Sequence, residues 1–155
     1  MNYLLDTCVL SECARRNPDA RLLAWLDATA PENDFYVSAI TVGEIAEGIE
    51  SLPDTDARKA RLSVWFGREI LETYRDRIVD FDREAALAWG RIKGATNRAG
   101  IVRPDLDAQI AATALAHGMT VATRNASDMA HTGVPVVNPF ADGEWRVGGD
   151  PGHEP

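Results

Sequence analysis

The feature that most constrains this chain is its alternation of short apolar runs with longer segments of helical period. "NYLLD", "DFYVSA", "RIVDFD", "MTVAT" and "VPVVNPF" are brief, rich in aliphatic and aromatic residues, and read as buried strands. Between them lie stretches whose apolar residues recur three and four apart. "NPDARLLAWLDAT" gathers Leu22, Leu23, Trp25 and Leu26, and "DREAALAWGRIKGATNRAG" aligns Ala85, Ala88, Trp89, Ile92 and Thr96 before Gly100 closes it. "TVGEIAEGIESL" is expected to begin at a capping box, Thr41 with Glu44, and to stop at Pro53. From Asp54 to about Arg77 one long helix is expected, striped by Leu62, Phe66, Ile70 and Tyr74. Strands that alternate with helices imply right-handed parallel crossovers. The fold class is therefore α/β, a parallel central sheet flanked by helices on both faces.

A chain of 155 residues suits one domain, placed at residues 1–140, and the Gly-, Pro- and acid-rich stretch 141–155 is expected to be a flexible tail. The formal net charge of -8 makes the protein as a whole repel polyanions. A nucleic-acid role then needs a local device, such as bound cations or an arginine patch, and a basic protein is the favoured partner. "MNYLLDTCVLSE" has no basic leader and is interrupted by Asp6 and Glu12, so a cytoplasmic location without a membrane association is expected. Cys8 and Cys13 suit two reduced thiols better than a disulfide framework or a zinc site.

Sites in open parallel sheets form outside the carboxyl ends of the strands, where the strand order reverses. Asp6 ends the first run, Glu44 lies early in the helix after the second, and Asn125 and Asp128 follow "VAT". "RPDLDAQIAATA" adds Asp105 and Asp107 at the mouth of an apolar helix. Residues two apart on a helix diverge by about 200°, so these two aspartates cannot easily serve one ion. Asp107 shares its side with Ile110, Ala111 and Ala114, a sheet-facing side that aims its first turn into the crevice; Asp105 suits the ordinary place of an acid after Pro104.

Taken singly, Asp6 serves as well as a helix cap, Glu44 as the partner of Thr41, and Asn125 and Asp128 as turn residues. Together, Asp6, Glu44 and Asp107 pose an electrostatic problem. At an effective dielectric near 20, each like-charged pair about 4 Å apart costs on the order of 4 kcal/mol. Protons or divalent cations must compensate, and oxygen donors without clustered His or Cys favour Mg²⁺ or Mn²⁺. Such an ion can activate water for attack on a phosphodiester.

"LLDTCVLSE", "VSAITVGEIAEGI", "PDLDAQIAATALAHGMTVATRN" and "VVNPF", in this order, resemble the PIN-domain ribonucleases, and among them the VapC toxins of toxin-antitoxin pairs, including the FitB-like branch. The resemblance implies catalytic roles for Asp6, Glu44, Asp107 and Asn125, with Asp6 and Asp107 as principal Mg²⁺ ligands. It implies an endoribonuclease that cuts single-stranded loops, with tRNA a frequent target class, a homodimer, and a cognate VapB-like antitoxin within a larger assembly. Two positions depart from the pattern. Cys8 stands where Asn is common, and Asn125 occupies the fourth acidic position, with Asp128 close enough to substitute. Arg15, Arg16, Arg98, Arg103 and Arg124 are candidates for RNA contacts, though each alone suits solvated surface.

Other classes fit less well. A phosphotransfer or receiver domain needs a late lysine after a strand, and Lys59 and Lys93 follow none. A haloacid-type phosphatase needs Asp at the position of Cys8, and no glycine-rich loop follows the first strand as a nucleotide-binding domain requires. The remaining alternative is a catalytically weak PIN-fold protein that acts with a DNA-binding antitoxin in autoregulation.

Overall fold

The strands of the computed structural model are β1 (Asn2–Leu5), β2 (Asp34–Ser38), β3 (Ile78–Val79), β4 (Thr120–Ala122) and β5 (Val136–Val137). All neighbours pair in parallel, in the order β3-β2-β1-β4-β5. Residues 1–32 and 34–141 are described, so the expected tail lies outside them from residue 142 onward. The helices among them are α1 (Thr7–Cys13), α2 (Ala20–Thr29), α3 (Ala39–Glu50), α4 (Ala57–Trp65), α5 (Arg83–Arg98), α6 (Asp105–Ala116) and α7 (Ala126–Met129). None is long and apolar enough to cross a membrane.

Register explains why the paired centres of the strands are apolar at consecutive positions. Leu4 pairs with Tyr36 and Val121, and Val121 with Val136; this row packs with Ile110, Ala111 and Ala114 of α6 and with Ala88 and Ile92 of α5. The alternate row, Leu5 with Val37, Ala122 and Val137, faces Val9 and Leu10 of α1, Leu22 and Trp25 of α2, and Ile45 and Ile49 of α3. Side chains alternate across a strand, so a sheet covered on both faces must be apolar at consecutive positions. The expected α/β architecture, with helices on both faces, is present.

Two expectations at helix ends are corrected. α3 does not start at a Thr41–Glu44 capping box. Ser38 is the cap: its Oγ accepts from the Thr41 N–H at 3.0 Å and donates to Thr41 Oγ1 at 3.1 Å, and the helix begins at Ala39. Glu44 is thereby released from capping. Because Ser38 is fully buried, Ser38→Ala removes a cap and one of the two hydroxyl partners of Thr41. A loss of about 1–2 kcal/mol is expected in urea denaturation; an unchanged midpoint would contradict this cap.

The second correction concerns the expected long helix over 54–77. Asp56 caps α4, its Oδ1 accepting from the Arg58 N–H at 2.9 Å, and after Trp65 the chain widens into a π-helical segment, Phe66–Glu72. A 3₁₀ turn follows at Arg75–Arg77. The stripe supplies a reason: residues spaced four apart overshoot a 3.6-residue turn by about 40° at each step. A wider turn reduces that drift, and Ile70 stays buried with Leu62, Phe66 and Tyr74 packed around the same core.

Candidate active site

The strand order reverses at β1, which opens a crevice between β1 and β4 at their carboxyl ends. Asp6 stands there as the cap of α1 and is 5% exposed. Its N–H donates to the Ala122 carbonyl at 3.0 Å. Oδ1 accepts from the Thr7 N–H at 2.8 Å, and Oδ2 accepts from Thr123 Oγ1 at 2.7 Å. The carboxylate is thus fixed from both sides of the crevice, by α1 and by the residue that follows β4.

Thr7 links this acid to the next. Its hydroxyl donates to Glu44 Oε1 at 3.1 Å, and Thr41 Oγ1 lies 3.4 Å away. Glu44 is half-buried on α3, and Asp107 is half-buried in the first turn of α6. Burial pushes the Glu44 carboxyl above its ordinary value; the Thr7 hydrogen bond opposes this, and the charges of Asp6 and Asp107 add to it. Asp107 is raised first by burial, then by the charges of Asp6 and Asp128, with Arg103 opposing. Both shifts favour the protonated acid in the fold, so stability falls as pH rises from the ordinary carboxylate value through the raised one.

Acids from three remote segments therefore feel one another at one edge of the sheet. Their side chains do not close into a tight cage: among the described residues, no three His, Cys, Asp or Glu side chains are grouped to hold a metal ion. Asp6 is instead turned to the Thr7 amide and the Thr123 hydroxyl, and Glu44 to the Thr7 hydroxyl. The donor chemistry still fits a hard divalent cation, because the set is all oxygen and two of its members are pushed toward protonation partly by like charge. Asp6 and Asp107 are the residues that could hold such an ion.

At the fourth position the side chain of Asn125 is exposed and makes no hydrogen bond among the described residues; its N–H donates to Thr123 Oγ1 at 3.1 Å and its carbonyl accepts from the Asp128 N–H at 3.0 Å. Asp128, one turn on, is the residue whose charge reaches Asp107. Cys8 lacks the amide common at its position, yet it keeps contact with the site. Its thiol donates to Asp6 Oδ2 at 3.5 Å and accepts from the Arg124 N–H at 3.4 Å. Burial, then the Asp6 charge, raises its pKa and keeps the proton on sulfur.

Asp105 stands apart, as its helical angle required: it is exposed and pairs with Lys93 Nζ at 2.9 Å. Arg16 and Arg98 are exposed, while Arg103 is half-buried near Asp107 with its Nε lacking a partner. Sequence reasoning missed the hydroxyls of Thr7, Ser38 and Thr123, which help to organise the acids, and gave Thr41 only a capping role. A usable signal existed, since Ser38 ends β2 and Thr7 and Thr123 stand one or two residues past the ends of β1 and β4.

A model of the PIN domain family matches residues 3–134. The chain belongs to the PIN domain family. It is 38% identical over 139 residues to toxin FitB of Neisseria gonorrhoeae, covering 90% of this chain and 99% of that protein. VapC ribonuclease Y4jK of Sinorhizobium fredii is 36% identical over 137 residues, covering 88% and 96%. Among solved structures, FitAB bound to an IR36 DNA fragment superposes with a TM-score of 0.81 at 37% identity, covering 92% of this chain and 98% of that one. The resemblance to PIN-domain ribonucleases, VapC proteins and FitB holds.

Proposed function

We propose that this PIN-domain protein is a divalent-metal-dependent endoribonuclease and the toxin of a VapBC-type pair. What supports this reading is that Asp6, Glu44 and Asp107, from three remote segments, stand around the switch point of the sheet, where the charge of Asp6 raises both of the other acids. Kinship with proteins named VapC ribonuclease and toxin FitB supports it.

When bound, Mg²⁺ or Mn²⁺ supplies charge neutralisation and water activation for phosphodiester hydrolysis. Asp6 and Asp107 are the residues that would hold the ion. Asp6 is pre-set for this by Thr7 and Thr123, which orient its carboxylate without neutralising it. Glu44, with its raised pKa, is the acid suited to accept and hold a proton beside the reacting phosphate. Asp128, or the amide oxygen of Asn125, completes the rim, directly or through water. The substrate is single-stranded RNA, with tRNA loops the first class to test, and the site of action is the cytoplasm. A homodimer held inactive by a basic VapB-like antitoxin is part of this reading; the kinship supports such a partner, and the net charge of -8 suits a basic one.

The test is cleavage of total cellular RNA by purified protein with Mg²⁺ or Mn²⁺, against the same reaction in chelator. Discrete products with metal alone support the reading, and intact RNA in both overturns it. A second reading draws on the DNA-bound relative: a catalytically weak PIN protein that works with a DNA-binding antitoxin in autoregulation. Expression without a partner separates the two, because only the second predicts normal growth and intact RNA.

Asp105→Asn is expected to leave cleavage within about twofold of the parent, since an exposed ion pair with Lys93 contributes little. Complete loss in an initial-rate assay would reverse the choice between the two aspartates.

A further inference from the structure

Three residues outside the acid site meet although they come from distant stretches. Arg124, in "VATRN", places its guanidinium 4.0 Å from the centre of the Phe140 ring, in "VVNPF". Its Nη2 also donates to Glu12 Oε2, in "LLDTCVLSE", at 3.5 Å. Glu12 is only 7% exposed, yet it accepts from the Asp19 N–H at 3.0 Å and from Arg15 Nη1 at 3.2 Å. Burial alone pushes its carboxyl up; these hydrogen bonds, with the charges of Arg15 and Arg124, bring it below the ordinary value. One carboxylate is thus shared by two guanidiniums, which leaves one net positive charge on the patch.

The patch adjoins the acids. Thr123 grips Asp6, Arg124 is the next residue, and its N–H donates to the Cys8 thiol. Glu12 lies six residues beyond Asp6 along α1, about 9 Å at 1.5 Å per residue. A guanidinium bonded at one edge and resting on a ring still has free N–H groups, and Arg124 is 49% exposed. It is held in place before any ligand arrives, which lowers the ordering cost of a contact. Its planar fork matches the oxygens of a phosphodiester. A positive patch at this edge is also what a chain of net charge -8 needs to receive a polyanion.

We propose that Arg124, seated between Glu12 and Phe140, binds a backbone phosphate of the RNA strand flanking the cleaved bond, with Arg15 widening the same subsite. The proposal rests on the ribonuclease reading above. A phosphate contact carries no base preference, so a labelled single-stranded RNA of mixed sequence is a sufficient probe.

Binding is measured by fluorescence anisotropy over a range of salt, at fixed Mg²⁺, with full-length protein carrying Asp107→Asn to prevent cleavage. Adding Arg124→Ala is expected to weaken binding about tenfold and to lower the slope of log affinity against log salt by about 0.7. Arg124→Lys keeps the charge and is expected to retain the slope. Arg83→Ala, on an exposed residue paired with Glu84, removes one charge elsewhere and is expected to change neither quantity. An unchanged slope in Arg124→Ala overturns the subsite. So does an equal fall in slope with Arg83→Ala, which would mean that only overall charge matters. Cleavage by the parent protein is followed in parallel: cleavage with an unchanged Arg124→Ala slope overturns the subsite alone, whereas no cleavage and no RNA binding overturn both readings.

Discussion

Asp107→Asn is expected to lower RNA cleavage by about 10²–10³-fold while the fold persists. Asparagine keeps the size of the side chain and removes its charge. The Asp107 carboxylate has no hydrogen-bond donor among the described residues, so the change breaks no such contact. It also removes repulsion from Asp6 and Asp128. Thermal stability without metal is therefore expected to stay level or rise as activity collapses, a combination that a structural residue does not give. Asp6→Asn is expected to match it in activity. Asn caps helices well, and the Thr123 hydroxyl can turn to accept from the new amide, so α1 is kept. Initial rates within twofold of the parent for either variant would remove that residue from the chemistry.

The second large effect is on stability. Trp25 is 1% exposed under the sheet, edge-on to Tyr3 with ring centroids 5.2 Å apart and tilted against Phe35 at 5.5 Å. These rings join α2 to β1 and β2, the strands that carry Asp6 and Ser38 at their carboxyl ends. Trp25→Ala leaves a cavity that neither strand can collapse into without disturbing the register. An unfolding loss of about 3–5 kcal/mol is expected, read as a lower urea midpoint at constant slope. Trp25→Phe is expected to recover part of it. A loss under about 1 kcal/mol would mean that this cluster is not the keystone of its face.

The sheet was legible because burial on both faces makes parallel strands continuously apolar, and "NYLLD" and "MTVAT" carry that signature without needing their partners. Helix ends were less so. Ser38 and Thr41 are both good caps three residues apart, and only the tertiary path of β2 decides that Ser38 is used. The π-helical turn at Phe66–Glu72 shows in sequence only as a stripe spaced four apart, which a plain helix also tolerates over short lengths. The acids could be placed because each lies at a fixed point relative to its own strand or helix, and the sheet rule then brings them to one edge. Glu12, Arg124 and Phe140 obey no such local rule. Their meeting depends on where α1 and the segment after β5 end up in space, which no spacing in the sequence encodes.

The proposed activity depends on mutually repelling carboxylates that a divalent cation would reconcile. Its most direct test is Mn²⁺ titration of the purified protein, followed by electron paramagnetic resonance of the free ion. The parent protein is expected to take up Mn²⁺, and both Asp6→Asn and Asp107→Asn to lose most of that uptake while Asp105→Asn retains it. A parent that binds no Mn²⁺, or variants at Asp6 and Asp107 that bind it as the parent does, would contradict the account.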